Sequence, residues 1–130
     1  MHIYLNLQCA LNRERNIALN SRKTGPNVLI TGSQQSGKST LCKILVNYAI
    51  KLGWQPVLVD LDLSSAEISP PGSISAALCN ESTVLPSDQL SKNSITYFHG
   101  DLHHITNEFF NKQMNELAEA VRVKQENDLA

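Results

Sequence analysis

Cysteine is scarce in this chain of 130 residues. Cys9, Cys42 and Cys79 are odd in number and stand at neither C-x-x-C nor metal-ligand spacing. That excludes a disulfide-stapled scaffold and fits a reduced, intracellular compartment. Excess charge is absent too: 11 Lys and Arg stand against 12 Asp and Glu, for a net charge of −1. Nothing global attracts nucleic acid, so any RNA contact needs a local patch such as Arg13, Arg15, Arg22 and Lys23. A solvated helix end is the plainer reading of that patch. No apolar run reaches the length of a membrane span. His2, Asn6 and Gln8 break up the first apolar residues, so no signal peptide is expected. Repeats and low-complexity tracts are missing. His99, His103 and His104 have no acidic or cysteine partner at ligand spacing, so no metal cluster is expected there. A base-reading N-K-x-D motif is also missing. What remains is a normal globular composition, 42% hydrophobic, with room for one domain at most.

One stretch carries specific chemistry. Gly32-Ser33-Gln34-Gln35-Ser36-Gly37-Lys38-Ser39-Thr40 matches G-x-x-x-x-G-K-[ST], the phosphate-binding loop of nucleotide-using proteins. Glycines let the backbone turn tightly and bring N–H groups close to phosphate oxygens. The following helix N-terminus adds partial positive charge at the same place. Lys38 is suited to the β- and γ-phosphates of a bound nucleotide and Ser39 to Mg²⁺, with Thr40 capping or packing one residue on. The motif alone does not separate kinase, ATPase and GTPase.

The chain around the loop reads as α/β. Ile3 to about Leu19 is expected to be helical, with Ile3, Leu7, Ala10, Leu11 and Ala18 near one face and Arg13, Glu14 and Arg15 pointing away. Ser21 to Pro26 ends it. Asn27–Thr31 reads as a buried strand entering the loop, Ser39–Leu52 as the helix leaving it with Gly53 closing it, and Gln55–Asp60 as a second strand. Strand, helix, strand predicts a right-handed βαβ unit with a parallel pair. Trp54 is expected at the strand mouth, with base stacking as the alternative. Asp60 and Asp62 close the second strand, where α/β sheets carry functional groups. If the strand stops at Asp60, Asp62 lies in the loop beyond it, suited to accepting a proton or holding Mg²⁺ through water. A turn or cap aspartate is the structural alternative. Ser69–Gly72 reads as a rigid turn, Ser73–Cys79 as a short helix or turn, Asn80–Asn93 as a loop, and Ser94–His99 as a third strand. Thr106 to Lys124 reads as a helix and Gln125–Ala130 as a frayed end. The expected architecture is a P-loop NTPase-like, three-layer α/β/α domain with a parallel sheet.

These residues resemble the Clp family of polyribonucleotide 5′-hydroxyl kinases, subunits of the pre-mRNA 3′-end cleavage machinery and partners of the tRNA-splicing endonuclease. The resemblance opens at Ile3-Tyr4-Leu5-Asn6 with Ala10-Leu11. It continues through Gly32 to Gly53 and at Pro56, Val59, Leu61-Asp62 and Pro71-Gly72, is strong up to Gly72, and weakens through Tyr97, Gly100, Thr106-Asn107 and Asn111-Lys112-Gln113. It implies a linker-like helix over 1–24 and a partial ATP-binding P-loop domain over 25–130. It also implies an RNA 5′ end as substrate, cleavage-factor or tRNA-splicing endonuclease subunits as partners, and a nuclear location. On it, ATP binds along Gly32–Thr40, Lys38 stabilises the transferring phosphoryl group, Ser39 binds Mg²⁺, and Asp62 aligns or deprotonates the RNA hydroxyl.

The sequence also departs from the family pattern. Leu63-Ser64-Ser65-Ala66 stands where the family carries a glycine and a glutamine. Asp101–Ile105 stands where its Thr-Pro-Gly clasp would be. The family's N-terminal β-domain, later core strands, arginine lid and C-terminal domain have no counterpart in these residues, so the expected domain is incomplete. The alternatives to an RNA kinase are a non-catalytic ATP-binding scaffold of a cleavage complex and an inactive truncated fragment.

Overall fold

The computed structural model describes residues 2–80, 93–103 and 108–129. In chain order its elements are α1 (His2–Asn20), α2 (Lys38–Lys51), β1 (Val57–Asp60), β2 (Ser73–Leu78), β3 (Ser94–Phe98) and α3 (Glu108–Leu129). The strands form one sheet in the order β1-β2-β3, antiparallel throughout. Val57 stands opposite Leu78 and Asp60 opposite Ser75, while Ile74 stands opposite Tyr97.

The central strand is the main departure from expectation. Ser73–Leu78, expected as helix or turn, is β2, and Ser73 to Ala77 are all buried. Serine and alanine are poor strand formers on a half-exposed surface. A strand covered on both faces is selected instead for side chains that let helices approach. Ile74 and Ala76 face the main core with Leu63, Phe110 and Leu117, with Val57, Tyr97, Met114 and Val121 packed against it. Ser75, Ala77 and Cys79 point the other way and are no more than 1% exposed. That face lies toward α2, whose Cys42 is near enough to Cys79 to act on it electrostatically. The helix α3 (Glu108–Leu129) thus covers one face of the sheet, and Cys42 of α2 lies on the side of the other.

The parallel βαβ pair does not form. The link from β1 to β2 contains no helix to carry the chain back across the sheet, so Pro70-Pro71-Gly72 turns it directly into an antiparallel neighbour. Asn27–Thr31 is not a strand of this sheet. Its Leu29 is 84% exposed, and no described strand takes it as a neighbour.

The helices keep close to their expected bounds. Gly53 follows α2 with a φ of 84°, and its N–H donates to Ile50 O at 2.9 Å. On α1 the buried residues are Gln8 and Leu11, whereas Ile3 and Ala10 are exposed and Arg15, expected outward, is half-buried. Helix α3 runs to Leu129 rather than fraying after Lys124. Arg122 pairs with Glu119 and Glu126, and Lys124 with Asp128 at 2.7 Å, spacings that support a helix surface. The expected loop over 80–93 falls mostly on residues 81–92, outside the described residues.

Ile74→Ala should lower stability by about 2–5 kcal/mol, because it empties a fully buried site in the central strand. Urea unfolding measures this. A loss below about 1 kcal/mol would mean that β2 is not the centre of the core.

Candidate functional site

The glycine loop is a curled cradle. Gln35 has a φ of 57° and Gly37 a φ of 86°, the left-handed turns that make successive N–H groups converge. Gly37 is the N-cap of α2, and no side chain caps that end. The first free N–H groups of the helix thus face the loop. Ser36 Oγ–H donates to Ser33 O at 2.8 Å, and Lys38 Nζ donates to the same carbonyl. A Cβ on Gly32 would come within 3.0 Å of Ser36 Oγ and 3.7 Å of Lys38 Cδ, so a side chain there would crowd the Ser36 hydroxyl where the loop closes. Ser33, Gln34, Gln35 and Ser36 are exposed, as are Ser39 and Thr40 on the first turn of α2.

Strand β1 ends at Asp60, so Asp62 lies in the loop beyond it. The two aspartates have different surroundings. Asp60 Oδ1 accepts the Asp62 N–H at 3.0 Å, and Oδ2 accepts the Glu67 N–H at 2.7 Å. Asp62 Oδ1 accepts the Ser64 N–H at 3.0 Å and the Ser64 hydroxyl at 2.8 Å. The signal for this is present in Asp60-Leu61-Asp62-Leu63-Ser64, since aspartate favours bonding the backbone two residues on. The turn is the structural alternative expected for these aspartates, whereas the Lys43–Glu67 ion pair at 2.7 Å has no signal in the spacing. The ion pair ties the loop to α2, the helix that the phosphate loop opens. Burial, then the charges of Asp60 and Glu67, push the Cys42 thiol on α2 above its ordinary value.

The far side of the same loop meets the end of β3. Gly72 N–H donates to Leu63 O at 2.8 Å, and Gly72 O accepts from His99 N at 2.8 Å and Gly100 N at 3.1 Å. Its φ of 84° requires glycine. His99 stacks on Phe109, meets Phe110 edge-on, and donates from Nδ1 to Gln113 Oε1 at 3.0 Å. It is a packed residue of the β3–α3 junction. His103 lends its backbone N–H to Asp101, holding that carboxyl below its usual range. His104, Thr106 and Asn107 lie outside the described residues. Among the described residues no group of three or more His, Cys, Asp or Glu side chains is arranged to hold a metal.

Trp54 donates from Nε1 to Asn12 Oδ1 at 3.0 Å, so the indole bolts α1 to the end of α2. Arg13, Arg22 and Lys23 are exposed, while burial lowers the pKa of Arg15. No helix of the described residues is long and apolar enough to cross a membrane.

The family model for the P-loop of mRNA cleavage and polyadenylation factor CLP1 matches residues 32–130. Similar curated proteins include "Polyribonucleotide 5'-hydroxyl-kinase Clp1" of Danio rerio, 38% identical over 92% of this chain and 27% of its own length. The protein of the same name in Xenopus tropicalis is 36% identical over 95% of this chain and 29% of its own. "Protein CLP1 homolog" of Anopheles gambiae is 35% identical over 92% of this chain and 28% of its own. The chain therefore spans less than a third of the length of these relatives.

The Cys42 environment makes a pH prediction. Because its folded pKa is raised, the stabilisation held by the neutral thiol is full below the unfolded thiol pKa and is lost as pH rises through the folded one. Alkylation of Cys42 should therefore set in at higher pH than that of exposed Cys9, and Glu67→Gln should bring the Cys42 midpoint down. Mass spectrometry of iodoacetamide-treated protein across pH 7–10 checks this. Identical profiles for the two cysteines would refute it.

Proposed function

The chain belongs to the CLP1 P-loop family, and from that premise we propose that it binds ATP in the phosphorylation of RNA 5′-hydroxyl ends. The observation that carries this is the cradle at Gly32–Thr40: left-handed Gln35 and Gly37, an uncapped helix N-terminus, and Lys38 folded over the loop. Relatives named polyribonucleotide 5′-hydroxyl kinases support the choice of reaction.

On this reading the N–H groups at the start of α2 receive phosphate oxygens, and Lys38 moves from Ser33 O to neutralise the transferring group. The Ser39 hydroxyl is the side-chain ligand suited to Mg²⁺, which would supply neutralisation of phosphate charge when bound. Asp62 accepts the proton of the RNA 5′-hydroxyl as its oxygen bonds to the γ-phosphorus and the β–γ bridging bond breaks, leaving ADP. Membership of a cleavage or tRNA-splicing complex and a nuclear location accompany this reading, on the family description and the resemblance in the residues.

A second reading is a non-catalytic ATP-binding scaffold. It is favoured by Asp62 Oδ1, which already takes two bonds from Ser64, and by the Leu63–Ala66 run at the substrate side.

A thermal melt with Mg²⁺-ATP separates the binding claim from its failure. Ligand at about 100 times its dissociation constant should add roughly 2.7 kcal/mol, and Lys38→Ala should abolish the shift. The absence of any shift in the wild type would overturn ATP binding. Given binding, ³²P transfer to a 5′-hydroxyl RNA oligonucleotide, lost in Asp62→Asn, supports the kinase. Binding without transfer supports the scaffold.

A further inference from the structure

We propose that Asp60 is a positioning residue: its carboxylate fixes the loop that carries Asp62 and, through Glu67 and Lys43, fastens that loop to the helix opened by the phosphate loop. The proposal deepens the kinase reading and rests on Asp62 acting there.

The connectivity is explicit. Asp60 is the last residue of β1, and its position is set by pairing with Ser75 of the central strand. One carboxylate oxygen holds the Asp62 N–H and the other the Glu67 N–H. These two amides lie at opposite ends of the turn 62–67, so a single side chain closes it. The Glu67 carboxylate then reaches Lys43 Nζ at 2.7 Å, five residues along α2 from Lys38. At its far end the loop is held a second time by Gly72 N–H on Leu63 O. Cys42, beside Lys43, lies near enough to Asp60 and Glu67 for their charges to raise its thiol, in keeping with α2 running beside this turn. An acceptor with two oxygens is required. Asparagine has the same size, but its NH₂ would meet a backbone N–H, donor against donor. Lys43–Glu67 is exposed, so its task is registry between helix and loop rather than bulk stability.

Three measurements on the whole chain test this. In Asp60→Asn, amide hydrogen exchange at Asp62 or Glu67 should quicken by about tenfold, the scale of one lost hydrogen bond, while β2 amides keep their protection. The KM for ATP should be unchanged and kcat for transfer to 5′-hydroxyl RNA should fall by on the order of 10- to 100-fold, as expected for a displaced reacting group. Lys43→Met leaves both Asp60 bonds in place and should give a smaller fall in kcat, again with KM for ATP unchanged. Unchanged exchange at both amides, unchanged kcat, or a parallel loss of ATP affinity would overturn the proposal. If the wild type transfers no phosphate, the kinase reading fails separately and amide exchange still decides the tether. If Asp60→Asn does not fold, exchange at the Asp62 and Glu67 amides of the wild type decides, with protection at both supporting the tether and unprotected exchange at both refuting it.

Discussion

A strand buried on both faces is the constraint on which the rest of this structure depends. Ser73 to Ala77 are all covered, so each side chain must leave room for a neighbouring layer. Ile74 and Ala76 form the floor on which Phe110 and Leu117 of α3 rest. On the other face Ser75 and Ala77 are small enough for a helix to approach, and the buried Ser75 hydroxyl is met by Ser69 at 3.3 Å. Larger residues there would push the layers apart and break the close packing that proteins need.

That packing also sets the candidate site. Because β2 fixes β1 in register, it fixes where Asp60 stands, and the turn that follows is built on Asp60. Helix α2 meets the same turn through Lys43 while its N-terminus belongs to the glycine loop. Two loops of different chemical character are thereby referred to one helix. Small displacements matter for phosphoryl transfer, where positioning and charge supply most of the rate. A helix shared by both loops is a direct way to limit them.

Much of this was legible from residue types. The glycine loop declares itself through glycine spacing and a lysine. The three helices follow from 3.6-residue periodicity, and β1 and β3 from short apolar runs. The sheet's direction was not legible, because strand, helix and strand in sequence say nothing about a third strand that returns at once. Nor was β2, because Ser-Ile-Ser-Ala-Ala carries the composition of a turn, and only tertiary burial makes it a strand. The end of α3 was missed because its support is ionic rather than apolar. The separate tasks of Asp60 and Asp62 depend on where a strand stops, which is among the least certain features of any sequence.

Helix α1 is attached on different terms from the rest. It buries Leu11 and is bolted by Trp54 to Asn12, yet both amide atoms of Gln8, 6% exposed, have no hydrogen-bond partner among the described residues. Such a group costs about 1–3 kcal/mol, a sum comparable with what burying one leucine returns. The Gln8 amide therefore offsets part of what Leu11 and the Trp54–Asn12 bond contribute to the docking of α1. That cost sets the Gln8 face of α1 apart from the sheet and α3, whose buried cluster is apolar throughout.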